Sequence, residues 1–238
     1  MIEISAIVPA AGKGERMAGK KAKPYLILVD KPILAHTLLS LEKIHEIKEI
    51  IVVVSSANKV VCRRQIINKY SLKKVKKIVT GGSSRTQSVY RGLEELDPGC
   101  DLVLIHDGIR PFVTSDIIRK VAWKAVDCGA ALSAVPVIST VKKADQRLVV
   151  DRTLIRNRLW LAQTPQVFRR DLIQRAYCLA HKSKKISWDD AGLVEAMGHP
   201  VKLVKGEADN IKITTPRDLL LAELILRQKA EGRRQKKE

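Results

Sequence analysis

Short apolar runs rich in β-branched residues alternate with segments of helical periodicity along most of the chain. The pattern predicts strands at residues 4–8, 49–55, 76–80, 102–106, 131–135 and 201–205. It predicts helices at residues 33–41, 60–70, 86–96, 115–128, 170–182, 189–197 and 216–230. Strands that alternate with helices in this way form βαβ units, so we expect an α/β fold with a largely parallel sheet.

Two of the predicted helices carry clear start signals. Thr114 or Ser115 stands where it can cap the fourth helix with its hydroxyl. Thr215 is followed by Pro216, a residue favoured at the first position of a helix. These signals fix where the fourth and the last helix should begin.

One segment, residues 136–160, breaks the alternation of strands and helices. It consists of two extended runs around the polar turn Ala144-Asp145-Gln146-Arg147, which predicts a β-hairpin. Neither run has an obvious face for the core. Because a long hairpin of this kind commonly needs a partner to cover it, we interpret it as the dimerisation arm of a homodimer.

The length of 238 residues suits one α/β domain, with two small domains as the alternative. We expect a single domain over residues 1–226 that includes the arm, followed by a basic tail at residues 227–238 that frays into solvent. No apolar stretch approaches the roughly 20 residues of a membrane span. The chain is therefore expected to be soluble, without a membrane partner.

The cysteines do not indicate a metal site or a disulfide framework. They lie far apart, without a C-x-x-C pair, at Cys62, Cys100, Cys128 and Cys178. Small, partly buried and reduced thiols are typical of a cytoplasmic protein, which is the location we expect.

The chain is strongly basic, with 44 Lys and Arg against 25 Asp and Glu, a net charge of +19. Such a charge could favour nucleic acid, an acidic surface or anionic metabolites. The lysines are scattered, aromatic residues make up only 4%, and no zinc-finger or RNP-type motif is present. We therefore expect small anionic ligands and no specific nucleic-acid partner.

The loop after the first predicted strand has the composition of a phosphate-binding loop. Its backbone can approach a ligand closely because its residues are small at Ala10, Ala11, Gly12 and Gly14. Arg16 and Lys23 would supply positive charge. The loop matches neither the P-loop nor the G-x-G-x-x-G pattern, and a βα turn with incidental basic residues is the alternative.

Asp107 follows the buried run at residues 102–105, at the carboxyl end of a predicted parallel strand, where ligands bind in open α/β sheets. A carboxylate among so many cations is suited to hold Mg²⁺ on phosphate groups. Asp209 is a second candidate. Either residue could instead be an ordinary turn or helix-cap residue.

Five motifs occur in this order: Pro9-Ala-Ala-Gly-Lys-Gly-Glu-Arg16 with Lys23, Gly81-Gly82-Ser-Ser-Arg85-x-x-Ser88, His106-Asp107-x-x-Arg110-Pro111, Thr164-Pro165-Gln166, and Ala208-Asp209-Asn210-Ile211-Lys212. Together they resemble the 2-C-methyl-D-erythritol 4-phosphate cytidylyltransferase family of the non-mevalonate isoprenoid pathway, over residues 6–226. The first loop alone indicates only the wider nucleotidyltransferase superfamily. The later motifs narrow the resemblance to this family and its relative, the ribitol-5-phosphate cytidylyltransferases.

The resemblance implies a Rossmann-like fold with helices on both faces of the sheet, and transfer of a cytidylyl group from CTP to 2-C-methyl-D-erythritol 4-phosphate (MEP) with Mg²⁺ or another divalent cation. No placed Ser-His or Cys-His pair supplies a nucleophile, so the acceptor phosphate would attack directly. Ribitol 5-phosphate or another pentitol phosphate is an alternative acceptor. A nucleotide- or polyanion-binding protein without catalysis is a second alternative.

The resemblance also implies a role for each site residue. It assigns catalysis to Arg16 and Lys23, the metal to Asp107 and Asp209, and the nucleotide to Ala10, Ala11, Gly12, Gly14, Gly81, Gly82, Ser88 and Lys212. It assigns the acceptor to Arg110, Thr140, Arg156 and Thr164, with Thr140 and Arg156 reaching from the arm into the neighbouring subunit. The alternatives are a solvated lysine for Lys23, a plain βα turn with an N-cap for the glycine loop, and a surface arginine for Arg156.

The chain departs from the family pattern in several places. Ala22-Lys23-Pro24 stands for the usual Pro-Lys-Gln, Gly108-Ile109 for two alanines, and Ser83-Ser84 for acidic residues. Trp188 stands where a threonine often precedes the acidic pair Asp189-Asp190. Ile109 and Trp188 are expected to place larger side chains near the acceptor.

Overall fold

The structure, a computed structural model, describes residues 2–12, 22–183 and 187–234. The strands in these ranges are β1 (Ile4–Pro9), β2 (Ile27–Leu28), β3 (Lys31–Pro32), β4 (Ile47–Val54), β5 (Val75–Thr80), β6 (Leu102–Ile105), β7 (Ala130–Pro136), β8 (Lys142–Ala144), β9 (Val150–Thr153), β10 (Trp160–Arg169) and β11 (Lys202–Lys205). The helices are α1 (Ile33–Glu42), α2 (Lys59–Val61), which continues as a π-helical segment (Cys62–Asn68), α3 (Arg85–Leu93), α4 (Ser115–Cys128), α5 (Arg170–Ser183), α6 (Ala191–Glu195) and α7 (Pro216–Arg234).

The central sheet has seven strands in the order β11-β7-β10-β6-β1-β4-β5. Six of them run in one direction, and β10 runs antiparallel to both of its neighbours, β6 and β7. The mostly parallel sheet is confirmed, and all six predicted strands are present. The carboxyl ends of the six parallel strands therefore meet at one edge, which we call the carboxyl edge.

Strand β10 was not predicted from the sequence. It contains Pro165 and the buried polar residues Gln163, Thr164 and Gln166, so it lacks the apolar alternation of a strand. Its pairing with β7 shifts register between Ala162 and Gln166. This irregularity accommodates the proline and turns polar side chains toward the carboxyl edge.

Helices cover both faces of the sheet, as expected. Along β1, Ala6 and Val8 pack with α1 and α4 in one apolar cluster, whereas Ile7 packs with α3, α5 and α6 in the other. A third, smaller cluster joins Phe112 and Ile213 to α7. Burial on both faces explains why the parallel strands are continuous apolar runs rather than alternating ones.

The start signals of two helices act as predicted. The Thr114 hydroxyl accepts a hydrogen bond from the Ile117 amide at 3.4 Å, and α4 begins at Ser115. Helix α7 begins at Pro216 and continues through Arg234, past the point at which we expected the basic tail to fray. Residues 235–238 lie outside the described part of the chain.

The segment at residues 136–160 forms a hairpin from β8 and β9, which pair antiparallel. The Asp145 carboxylate accepts hydrogen bonds from the Arg147 and Val149 amides and so closes the turn. Every residue of β8 and β9 is exposed, and large apolar side chains such as Ile138 (84%) and Leu148 (86%) face solvent. We call this segment the arm.

All four cysteines are free. Among the described residues, no helix has the length and apolar character that crossing a membrane requires.

Candidate active site

Two of the predicted nucleotide loops meet at the carboxyl edge. A Cβ placed on Gly81, after β5, would lie 2.5 Å from the Ala11 Cβ and 2.8 Å from the Ser88 Oγ. Only glycine permits this approach. The backbones of the loops after β1 and β5 thus lie side by side. A single nucleotide could contact both loops only in such an arrangement.

The serines of the second loop organise its backbone. The Ser84 Oγ accepts the Gln87 amide at 3.1 Å and caps α3. The Ser88 hydroxyl accepts the Gly82 amide at 3.2 Å and donates to the Ser84 carbonyl at 2.8 Å. The turn-with-N-cap interpretation therefore describes the local geometry, and a nucleotide role for Gly81, Gly82 and Ser88 stays a prediction.

Asp107 lies just beyond β6, is buried, and is surrounded by cations. Its carboxylate is 2.9 Å from the Lys212 Nζ, 3.3 Å from the Arg85 Nε and 3.5 Å from the Arg110 Nε. Burial alone would raise the pKa of Asp107, but Arg85, Lys212 and Arg110 together hold it well below the ordinary value. Because Arg85 is also paired with Asp190, the three cations and two carboxylates here leave a net charge of +1.

A hydrogen-bonded chain fixes the backbone beneath Asp107. The Thr164 Oγ1 accepts the Asp107 amide at 3.0 Å and lies 3.0 Å from the His106 Nδ1. The His106 Nε2 lies 3.1 Å from the Arg110 carbonyl oxygen. Burial lowers the pKa of His106 to about 4, so the neutral ring donates from Nε2 to the carbonyl and accepts the Thr164 hydroxyl at Nδ1.

The loop after β11 is anchored against β10 and brings Lys212 to the site. The Asn210 Nδ2 donates to the Thr164 carbonyl at 2.8 Å, and the Arg110 Nη1 donates to the Asn210 carbonyl at 2.7 Å. Buried Gln163 adds a bond from its Nε2 to the Glu207 carbonyl at 2.9 Å. The structure thus brings together Arg110, Thr164, Asp107 and Lys212, although they come from three separate motifs.

The first loop is described only in part. Ala10, Ala11 and Gly12 follow β1, and the Ala10 amide donates to the Val53 carbonyl at 2.7 Å. Gly14 and Arg16 lie outside the described residues. Lys23 is 9% exposed in a 3₁₀ turn, so the alternative of a solvated lysine is wrong.

Three predicted residues, Asp209, Thr140 and Arg156, are exposed and have other partners or surroundings. Asp209 is exposed, and its carboxylate lies 3.8 Å from the Lys229 Nζ on α7. Thr140 and Arg156 lie exposed on the arm, where the Arg156 Nη1 donates to the Ile138 carbonyl at 2.8 Å. Within the described part of the chain, no three His, Cys, Asp or Glu side chains cluster as a metal site.

The sequence motifs predict no role for Arg85, a half-buried residue beside Asp107. It pairs with both Asp107 and Asp190, and Tyr177 donates to Asp190. The sequence signal that could have indicated this role is the position of Arg85, which begins α3 directly after the glycine loop.

The two unusual large residues lie in different surroundings. Ile109 packs against the third apolar cluster. Trp188 is 100% exposed. The packing of Ile109 gives it a core role. A place for Trp188 near the acceptor stays a prediction.

Comparison with known proteins gives consistent matches along the chain. The family model described as IspD: 2-C-methyl-D-erythritol 4-phosphate cytidylyltransferase matches residues 4–228. The protein of that name from Alkaliphilus metalliredigens is 49% identical over 230 residues, which is 97% of this chain and 95% of the relative. Its counterpart from Syntrophus aciditrophicus is 46% identical over 97% of this chain and 98% of the relative.

Solved structures agree with these matches. The 4-diphosphocytidyl-2C-methyl-D-erythritol synthase from Anaerococcus prevotii is similar with a TM-score of 0.84 and 34% identity, and the match covers 95% of this chain and 96% of that one. The 2-C-methyl-D-erythritol 4-phosphate cytidylyltransferase from Thermus thermophilus is similar with a TM-score of 0.77 and 32% identity, over 95% and 100% of the two chains. Fold and sequence therefore point to the same relatives.

Proposed function

The chain belongs to the 2-C-methyl-D-erythritol 4-phosphate cytidylyltransferase family, and on that premise we propose how its own residues perform the reaction. As a member it is a nucleotidyltransferase that makes 4-diphosphocytidyl-2-C-methyl-D-erythritol and pyrophosphate from CTP and MEP, for isoprenoid precursor biosynthesis. The observation that carries the residue-level proposal is the convergence of three cations on buried Asp107 at the carboxyl edge.

The reaction needs positive charge more than a protein nucleophile. An oxygen of the acceptor phosphate forms a bond to the α-phosphorus of CTP, and the bond from that phosphorus to the bridging oxygen breaks as pyrophosphate leaves. Attacker, nucleotide and leaving group are all anionic, so positioning and electrostatic stabilisation do most of the catalysis. Lys23 and Arg16 act on the triphosphate. Lys212 is the most exposed of the three cations around Asp107, so it also contacts phosphate.

Magnesium fits the donors at this edge. Asp107 is held in its ionised form, and carboxylate oxygen is the donor that Mg²⁺ prefers, with phosphate oxygens as its other ligands. Asp107 and Asp209 would hold the ion, which would offset negative charge on the phosphates. Main-chain groups at Gly81, Gly82 and Ser88 would read the edge of the cytosine. The backbone of Ala10, Ala11 and Gly12 would approach the phosphates, and a Cβ placed on Gly12 would have no atom of the described residues within 4 Å.

The arm supports a homodimer with shared sites. Its apolar side chains are exposed at Ile138, Leu148, Val149, Val150, Ile155 and Trp160. A second copy that covers them would remove this apolar surface from water. Thr140 and Arg156 would then reach the acceptor in the neighbouring subunit's site.

Subunit mixing tests the shared site. We would combine the variants Lys23→Ala and Arg156→Ala under conditions that allow exchange, and assay the mixture at an MEP concentration well below the KM, where both parent variants turn over slowly. Part of the activity should return, because some heterodimers hold one site with both lesions and one with neither. Lack of recovery after proven exchange, or a monomer by light scattering, would refute the arm proposal.

The acceptor is tested by pyrophosphate release from CTP with MEP and, separately, with ribitol 5-phosphate. We expect release with MEP and a product of the mass of 4-diphosphocytidyl-2-C-methyl-D-erythritol. Faster turnover of ribitol 5-phosphate would reassign the acceptor. CTP binding without release for any acceptor would indicate a binding protein without catalysis.

A cytoplasmic location is also proposed, and the four free cysteines support it. Cell fractionation of the source organism tests it. Recovery of the protein outside the cytoplasmic fraction would contradict it.

A further inference from the structure

Arg85 is held by a buried acid, Asp190, at the start of α6. Its Nη1 and Nη2 donate to the two carboxylate oxygens of Asp190, at 2.9 Å and 2.7 Å. The third nitrogen of the guanidinium, Nε, donates to the Asp107 carboxylate at 3.3 Å. One planar guanidinium therefore bridges the two carboxylates.

Asp190 has no contact with solvent. It is 0% exposed, and the hydroxyl of Tyr177 on α5, itself 2% exposed, donates to the same carboxylate. The neighbouring Asp189 accepts the Gln166 Nε2 at 2.8 Å, and the Gln166 Oε1 accepts the Ala191 amide at 2.9 Å. These bonds fix the start of α6 against β10, so Asp190 cannot shift without breaking them.

Stability alone does not account for this arrangement. Transfer of a charge pair from water to the interior costs several kcal/mol per ion, and apolar residues of similar volume often stabilise a fold as well or better. A two-pronged arginine–carboxylate pair differs from an apolar contact in fixing the orientation of the guanidinium. Here the fixed orientation aims the Nε at Asp107.

We propose that Asp190 and Tyr177 are positioning residues for the reaction: they lock the Arg85 guanidinium, and Arg85 in turn orients the Asp107 carboxylate in the nucleotide site. The inference rests on the proposed function of the Asp107 site. It gives a role to the acidic pair before α6, which lies away from the nucleotide loops in sequence. A purely structural role, in which Arg85 only ties α3 to α6, is the competing explanation.

The test is a double-mutant cycle on CTP affinity, measured by calorimetry with Mg²⁺ and without acceptor. Arg85→Lys keeps the charge and loses the planar fork, and Asp190→Asn keeps the shape and loses the charge. Each should weaken CTP binding about 10-fold, the size typical of lost partners behind a ligand-binding carboxylate. In an Asp107→Asn background, the same changes should have less than about a twofold effect, because the group they orient has lost its charge.

Matched controls remove similar groups elsewhere. Arg119→Lys changes an arginine that pairs with Glu46 at the other edge of the sheet, and Tyr90→Phe removes a hydroxyl from a ring stacked on Tyr177. Both should leave CTP affinity unchanged. If Asp190→Asn does not fold, Tyr177→Phe carries the cycle, with an expected loss of about threefold.

The outcomes separate this inference from the function on which it rests. Equal losses in the wild-type and Asp107→Asn backgrounds would overturn the positioning role and leave a structural one. CTP binding by the wild type with unchanged affinity in the variants would overturn the inference alone. A wild type that binds no CTP would overturn the proposed function, and the inference with it.

Discussion

The two edges of the sheet differ in how they arrange charge and space. The amino edge, where the six parallel strands begin, has a groove of about 1430 Å³ lined by Ile4, Leu102 and Trp123. Two of its arginines pair with acids: the Arg119 Nε lies 2.8 Å from Glu46, and the Arg169 Nε lies 3.7 Å from Asp171. The carboxyl edge instead concentrates three cations on one buried carboxylate, beside a loop whose glycines leave no room for side chains.

We infer from this difference that charge, rather than volume, marks the phosphate site of the proposed function. Pairs such as Arg119–Glu46 weaken the field that an anion meets at the amino edge. At the carboxyl edge, three cations meet only two carboxylates, Asp107 and Asp190, and the remaining positive charge beside a buried carboxylate would attract phosphates. Volume alone therefore does not make the amino-edge groove, which polar residues such as Arg170 and Gln174 also line, the better candidate.

The largest effect is expected from the cations on the triphosphate. Lys23→Ala and Arg16→Ala should each lower turnover by about two to three orders of magnitude, because each removes a fixed donor aimed at developing charge. Arg16→Lys should recover only part of the activity, since an ammonium lacks the planar fork. Arg119→Ala, at the amino edge, is the control and should keep wild-type turnover; near-normal turnover of folded Lys23→Ala would break the comparison.

The next effect concerns the carboxylate. Asp107→Asn keeps the shape but loses the charge, so turnover should fall about 100-fold and the Mg²⁺ concentration for half-maximal rate should rise. Rate is measured against Mg²⁺ concentration. Asp101→Asn at the amino edge should leave that titration unchanged, and an unchanged curve for Asp107→Asn would make Asp107 structural.

A third prediction concerns the pH dependence of stability. The pKa of His106 falls from 6.5 to about 4 on folding, so the unfolded chain binds the extra proton first and stability is lost as the pH drops from 6.5 toward 4. The loss between pH 7 and pH 5 should be about 2 kcal/mol. Asp107 acts over a different pH range. Because folding lowers its pKa below the ordinary 3.8, its contribution to stability is lost only as the pH falls below that value.

Urea unfolding at pH 7 and at pH 5 measures this loss. The variant His106→Gln should lose about 2 kcal/mol less than the wild type over the same interval, whatever its stability at pH 7. Equal losses for the two proteins would mean that His106 is not the group responsible.

The smallest effect is expected on the arm. Arg156→Ala should raise the KM for MEP about 10-fold and leave the KM for CTP unchanged, because it removes one charge-assisted contact to the acceptor phosphate. Arg152→Ala, on the same arm, is the matched control. A change in the KM for CTP alone would move Arg156 away from the acceptor.

Local signals predicted much of the fold. Apolar runs located six strands, and Thr114 and Pro216 located two helix starts, because each signal acts within a few residues. Strand β10 escaped prediction because buried Thr164 and Gln166 are satisfied by partners distant in sequence, at Asp107 and Asp189. No short-range pattern reports such contacts.

Sequence signals likewise predicted part of the candidate site and missed the rest. The glycine loops and Asp107 could be found because each follows a strand at the edge where ligands bind. The Arg85–Asp190 pair could not, since 105 residues separate its members and either side chain alone reads as a surface charge. Only the fold brings the pair together behind Asp107.

A crystal structure with CTP, Mg²⁺ and MEP tests the central claim most directly. We predict the triphosphate at the carboxyl edge, within hydrogen-bond distance of Lys23 and Lys212. Mg²⁺ should lie on Asp107, with Arg156 of the neighbouring subunit beside the acceptor phosphate. A triphosphate bound in the amino-edge groove, or one that touches neither lysine, would contradict the account.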